Sequence, residues 1–129
     1  MPPKPSTVLI VEDDTVTRFW LERRLSRRGY NVFTAQDGES GLNQARQHTP
    51  DVILTDIFMP GMNGTEMIKC IRSDSILNHT PILAMTAAYN YVKEEAITAG
   101  ANDVFDKPLD FDLLLSKIEG LAGMSYSNQ

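Results

Sequence analysis

The stretch DVILTDIFMPGMNG, Asp51 to Gly64, carries an apolar run that ends on a carboxylate, Asp56, and then breaks over Phe58, Pro60, Gly61 and Gly64. Val52, Ile53 and Leu54 follow one another without polar alternation, the pattern of a short strand covered on both faces. An acid at the tip of such a strand costs free energy to keep charged unless a partner stabilises the charge. The proline and glycines that follow are turn formers, so the chain bends sharply just beyond the acid.

Four other runs resemble this one. They are TVLIV (Thr7–Val11), NVFTA (Asn31–Ala35), PILAMT (Pro81–Thr86) and DVF (Asp103–Phe105). NVFTA alternates, with Val32 and Thr34 on one side, as an edge strand does. Helical spacing fills the intervals. Val16, Trp20, Leu21 and Leu25 make a first apolar stripe, closed by Gly29, with Trp20 inward and Phe19 partly exposed. Leu42 and Ala45 follow an N-cap at Asp37. Asn63 and Glu66 have capping-box spacing ahead of Met67, Ile68 and Ile71. EEAITAG closes a fourth helix on Gly100, and Asp110 caps a fifth that buries Leu113, Leu114 and Ile118. Strand and helix in strict alternation predict an α/β fold, a doubly wound parallel sheet with helices on both faces. Right-handed crossovers leave few topologies.

At 129 residues the chain suits one domain, read as a loose N-terminus over 1–6, a domain over 7–122 and a tail over 123–129. The net charge of −5 argues against a direct nucleic-acid surface. Arg18, Arg23, Arg24, Arg27 and Arg28 crowd one segment, which a solvated helix face explains. The start has no signal-like apolar region and no run is long enough for a membrane span, so the expected location is cytoplasmic and no membrane partner is expected. Cys70 is the only cysteine and sits in an apolar pattern as a buried thiol, while His48 and His79 fall beside proline and turn residues as surface positions.

In an open α/β sheet the ligand crevice lies at the carboxyl ends of the strands. Here those ends carry Glu12, Asp13 and Asp14 after the first strand, Asp56 at the third, Thr86 at the fourth and Lys107-Pro108 after the fifth. Two carboxylates ~5 Å apart repel by about 3 kcal/mol at an effective dielectric near 20. Three acids against one lysine therefore must take up protons or recruit a cation. All the available ligands are oxygen, which favours Mg²⁺ over zinc, and Mg²⁺ leaves coordination positions open for phosphate oxygens. A carboxylate can then act as nucleophile and become an aspartyl-phosphate. Asp56, from the central strand, is the expected nucleophile, with Glu12 and Asp13 as the metal pair. The Phe58 backbone carbonyl is an expected further ligand, and Lys107 and Thr86 an ammonium and a hydroxyl for the phosphoryl oxygens.

VLIVEDD, DVILTDIFMPGMNG, ILAMTAA and AGANDVFDKP, at this spacing, resemble the receiver domain of two-component response regulators over roughly Thr7 to Ala122, in the manner of a stand-alone chemotaxis regulator. The resemblance implies a flavodoxin-like five-stranded sheet of order 2-1-3-4-5. It implies Mg²⁺ as cofactor and a sensor histidine kinase or histidine phosphotransfer protein as phosphodonor to Asp56. An unidentified downstream output protein would meet a face made by the fourth helix, fifth strand and fifth helix, unless the chain is a fragment of a larger regulator. Activity would be limited to self-phosphorylation and self-dephosphorylation. Asp14 reads as an N-cap, and the family places a cis peptide after Lys107, where Pro108 allows it.

One position departs from the pattern. Three residues before the lysine the family has Tyr or Phe, and here stands Val104, with Phe105 pointing to the opposite face. Ala87 and Ala88 leave space beside Thr86 for water, which Phe58 could block. Other classes fit less well. A haloacid-dehalogenase-like hydrolase has its nucleophile after the first strand as Asp-x-Asp, where this chain reads Glu12-Asp13-Asp14. A flavin carrier needs a phosphate loop where these acids would repel phosphate. A receiver-like module that takes no phosphate would not need the full residue set.

Overall fold

The computed structural model describes residues 6–87 and 90–127. Five strands alternate with five helices: β1 (Thr7–Val11), α1 (Thr15–Arg27), β2 (Asn31–Ala35), α2 (Gly38–His48), β3 (Val52–Asp56), α3 (Gly64–Arg72), β4 (Ile82–Thr86), α4 (Asn90–Ala99), β5 (Asp103–Asp106) and α5 (Phe111–Ser127). All strand pairs are parallel, in the order β2-β1-β3-β4-β5. This is the doubly wound, flavodoxin-like sheet, with the alternating β2 at an edge. Of the expected loose ends, residues 1–5 and 128–129 lie outside the described residues, as does Ala88. Helix α5 continues over Gly123–Ser127, which the sequence reading assigns to the tail.

Strand pleat divides the core. Leu9, Val11, Ile53, Ile82 and Ala84 face Leu42, Ala45, Met67, Ile68, Ile71, Val92 and Ala96 on α2, α3 and α4. Val8, Ile10, Leu54, Leu83 and Met85 face Leu21, Leu25, Leu114, Leu115 and Ile118 on α1 and α5. Every residue of β3 and β4 is buried, so the two central strands have no freedom to slide.

Two helix faces differ from expectation. Val16 is 76% exposed because the buried stripe of α1 runs through Leu21 and Leu25, one helical step round from Val16 and Trp20. Trp20, expected inward, is 38% exposed, though less so than Phe19, and meets Phe111 edge-on at 5.8 Å between ring centroids. On α5 the buried set is Phe111, Leu114, Leu115, Ile118 and Ala122, and Leu113 turns outward at 59% exposure. Three consecutive leucines leave the helical phase open, and only packing decides it. The arginines of α1 are not simply a solvated face. Arg24 lies over the Trp20 and Phe111 rings, and Arg23 over Phe19. His48 stacks on Phe33, with ring centroids 3.7 Å apart, and Cys70 is only partly buried.

The expected caps at Asp14, Asp37 and Asn63 are all present, the last as a reciprocal capping box with Glu66.

Candidate functional site

The sheet topology brings the carboxyl ends of β1, β3, β4 and β5 to one edge. Glu12 follows β1 and is fully buried, Asp56 ends β3 at 7% exposure and Thr86 ends β4 fully buried, while Asp13 is exposed. Lys107, just past β5, donates from Nζ to Glu12 Oε1 at 2.6 Å and to Asp56 Oδ2 at 3.1 Å. Its backbone N–H donates to the Thr86 carbonyl at 2.9 Å, which ties the ammonium and the threonine to one rung of the sheet. The Lys107–Pro108 peptide is cis, as the resemblance implies.

Each carboxylate is held by more than the lysine. Asp56 Oδ1 accepts the Ile57 N–H at 2.8 Å, and Glu12 Oε2 accepts the Asp14 N–H at 3.1 Å. One ligand oxygen from each of Glu12, Asp13 and Asp56 lies within 4.8 Å of the others. Three hard oxygen donors at this separation, two of them buried, suit a small divalent cation with remaining positions open, and Mg²⁺ fits that donor set. Burial raises the Asp13 carboxyl above the ordinary aspartate range, and contact with the Glu12 carboxyl and its charge push the same way. Burial would lower the Lys107 ammonium, but the hydrogen bond to Glu12 and the charges of Asp56 and Glu12 outweigh it, so the group is held above the ordinary lysine range. Asp14 stands apart from the cluster. Its carboxylate accepts from the Thr17 hydroxyl at 2.6 Å and the Thr17 N–H at 2.8 Å, contacts that hold it below the ordinary range.

The turn after Asp56 follows from close packing. A Cβ on Gly64 would lie 2.2 Å from the Asp56 carbonyl oxygen and 2.8 Å from Ile57 Cα, so only glycine lets α3 start against the end of β3. The Gly64 N–H donates to the Ile57 carbonyl at 2.8 Å. Gly61 has φ 72, in the left-handed region. Phe58 stands in this loop with its side chain 54% exposed, and so cannot be counted as core.

The structure thus gathers Glu12, Asp13, Asp56 and Lys107 by direct contact or proximity, with Thr86 on the adjoining strand end. It adds one residue that sequence reasoning assigned to a solvated face. Arg18 Nη1 donates to the Glu12 carbonyl at 2.7 Å and approaches the Asp13 carbonyl at 3.4 Å. Its signal was available: a long side chain one turn into a helix leans toward the helix N-terminus, and so covers the loop before it.

Residues 8–119 match the family described as "Response regulator receiver domain", and the chain belongs to that family. It is 37% identical over 115 residues to the response regulator ArlR of Staphylococcus aureus, covering 88% of this chain and 51% of that protein. The chain thus spans about half the length of the curated relatives it matches. Among solved structures, chemotaxis protein CheY4 of Vibrio cholerae superposes with a TM-score of 0.85 at 34% identity, over 91% of this chain and 98% of that one. The receiver domain of sensor histidine kinase PA1611 from Pseudomonas aeruginosa PAO1, solved with a magnesium ion coordinated in its active-site cleft, gives 0.86 at 30% identity over 92% and 98%. Receiver domains of response regulators work in phosphorylation-dependent signalling as switches. Among the described residues, no helix is long and apolar enough to cross a membrane.

Proposed function

We propose that this domain accepts a phosphoryl group on Asp56 from a phosphohistidine of a sensor kinase or histidine phosphotransfer protein, in the cytoplasm, with Mg²⁺ as cofactor. The observation that carries the reading is the single ammonium of Lys107 bridging Glu12 and Asp56, with Asp13 within reach of the same centre. Glu12, Asp13 and Asp56, with the Phe58 carbonyl, would hold Mg²⁺, which supplies positive charge to the oxygens of the incoming phosphoryl group. A carboxylate oxygen of Asp56 bonds to phosphorus as the phosphorus–nitrogen bond of the donor breaks, and the electron pair returns to the imidazole. Lys107 moves its charge from the carboxylates to the phosphoryl oxygens, and the Thr86 hydroxyl donates to one of them. Water attack on the same phosphorus reverses the state, so the domain's own chemistry is confined to gaining and losing this group.

Phosphorylation then biases the face formed by α4, β5 and α5 toward a downstream output protein. Exposed Tyr91, Ile97 and Leu113 on that face, and a groove of ≈ 720 Å³ lined by Phe105, Pro108, Leu113 and Leu121, support a binding role there. Val104 packs on the α4 side of the sheet and Phe105 on the opposite side. A rotating ring therefore has no place at position 104. The route from Thr86 runs instead through the Thr86–Lys107 rung and the Lys93–Asp106 ion pair at 2.6 Å between α4 and β5.

Incubation with acetyl phosphate and Mg²⁺ followed by intact-mass measurement tests the reading. One added phosphoryl group on the native chain, absent from Asp56→Asn, is expected. An unmodified native chain, or a modified Asp56→Asn, refutes it.

A further inference from the structure

Arg18 sits one turn inside α1, yet its guanidinium faces back toward the acidic turn between β1 and α1. Nη1 reaches the Glu12 carbonyl at 2.7 Å and the Asp13 carbonyl at 3.4 Å. Among the described residues, no carboxylate lies within ion-pair distance of it, so this arginine spends its donors on main-chain oxygens. Arg18 also borders a polar hollow of ≈ 270 Å³ lined by Thr34, Gln36, Ser40 and Gln44, yet its Nη1 hydrogen bonds go to the main chain.

The consequence falls on Glu12. Its carbonyl is held by Arg18, its Oε1 by Lys107 and its Oε2 by the Asp14 N–H. The Glu12 N–H donates to the Ala35 carbonyl at 3.0 Å and anchors the start of the turn, so release of the Arg18 contact loosens the Glu12–Asp13 peptide beyond that anchor. We propose that Arg18 is a positioning residue, fixing the backbone of the acidic turn so that the Glu12 and Asp13 carboxylates stay oriented for the divalent cation. The inference rests on the reading of that cluster as a Mg²⁺ site.

Two effects of removing Arg18 oppose each other, and their sign separates positioning from mere charge. Loss of a nearby positive charge alone would tighten cation binding, whereas loss of orientation weakens it. Outer-shell contacts of this kind are worth about 10-fold or more in metal affinity. Mg²⁺ binding to native protein, Arg18→Ala and Arg18→Lys is therefore compared by calorimetric titration, beside hydrogen exchange of the Asp14 amide without metal. The expected result is Mg²⁺ affinity about 10-fold weaker in Arg18→Ala, with Arg18→Lys intermediate because it keeps the charge but not the fork. The Asp14 amide, bonded to Glu12, exchanges faster in both variants. Equal or tighter Mg²⁺ binding by Arg18→Ala overturns the proposal. If the alanine variant does not fold, native-like affinity and exchange in Arg18→Lys overturn it. Should the native protein show no saturable Mg²⁺ binding, the cation reading itself fails. The metal-free exchange rate of Asp14 then decides for Arg18 alone, an unchanged rate refuting its role in holding the turn.

Discussion

Replacement of Lys107 by Met keeps the aliphatic stem and deletes the charge that bridges Glu12 and Asp56. At an effective dielectric near 20, attractions over 2.6 and 3.1 Å are worth about 6 and 5 kcal/mol before desolvation is set against them. The measured cost cannot reach that sum, because the acid cluster has a cheaper escape. Binding one proton at pH 7 costs a carboxyl group that ordinarily titrates near pH 4 about 4 kcal/mol. The ceiling is therefore about 4 kcal/mol at pH 7, in line with the ~3–5 kcal/mol typical of an orphaned buried ion pair, and it falls to about 1.4 kcal/mol at pH 5. The sign follows from proton counting. Between about pH 4 and 7 the folded variant holds one more proton than the unfolded chain, so its stability drops as pH rises, by about 1.4 kcal/mol per unit relative to the native protein. Native Lys107, held above the ordinary lysine range, keeps its charge throughout that window, and its own stabilisation is lost only above the lysine range. Urea denaturation of both proteins in EDTA at pH 5, 6 and 7 reads the difference directly. A gap that does not widen with pH, or one below about 1 kcal/mol at pH 7, refutes the view that one ammonium neutralises this cluster.

Gly64→Ala is expected to lower stability by about 2–3 kcal/mol, since its Cβ would meet the Asp56 carbonyl at 2.2 Å; thermal melts of the variant check this, and a native-like midpoint contradicts the close approach. Leu114→Ala should cost roughly 2–5 kcal/mol by opening a cavity, whereas Leu113→Ala should stay within about 0.5 kcal/mol. Urea midpoints that reverse this order would show that α5 is rotated by one residue.

The fold was legible because each strand announced itself twice, by an apolar run and by the helix that follows it. β1, β3 and β4 are covered on both faces, so their side chains could be read as buried without knowing which face held which helix. Helical phase was harder. Val16 and Leu113 fit apolar spacing as well as their neighbours do, and only the opposing surface of the sheet chooses between adjacent stripes. The acid cluster was legible for a topological reason: parallel strands deliver their carboxyl ends to one edge, so residues 12, 56, 86 and 107 converge however far apart they are in the chain. Arg18 was harder to pick out: its position one turn into α1 gave the direction of its side chain, but its partners are main-chain carbonyls, which have no sequence signature. The crowd of arginines behind it further disguised it, although Arg23 and Arg24 lie on aromatic rings instead.

The same packing that makes the fold readable leaves the site without a mechanical way to relax. Glu12 and Asp56 extend from strands whose side chains are buried on both sides, and Gly64 presses the next helix against the Asp56 carbonyl. To separate the carboxylates, β1 would have to drag Leu9 and Ile10, or β3 would have to drag Ile53 and Leu54, out of two filled cores. Each fully buried aliphatic side chain is worth about 1.5–3 kcal/mol of transfer free energy, so displacing two costs at least as much as the repulsion of about 3 kcal/mol between a pair of acids. The charge imbalance must instead be met where it arises, by a proton, by Lys107 or by a bound cation. That constraint makes the domain's global stability a direct reporter of the charge at its strand ends. A ligand that adds positive charge among Glu12, Asp13 and Asp56 is therefore expected to stabilise the whole sheet, and a urea midpoint no higher in Mg²⁺ than in EDTA would refute this.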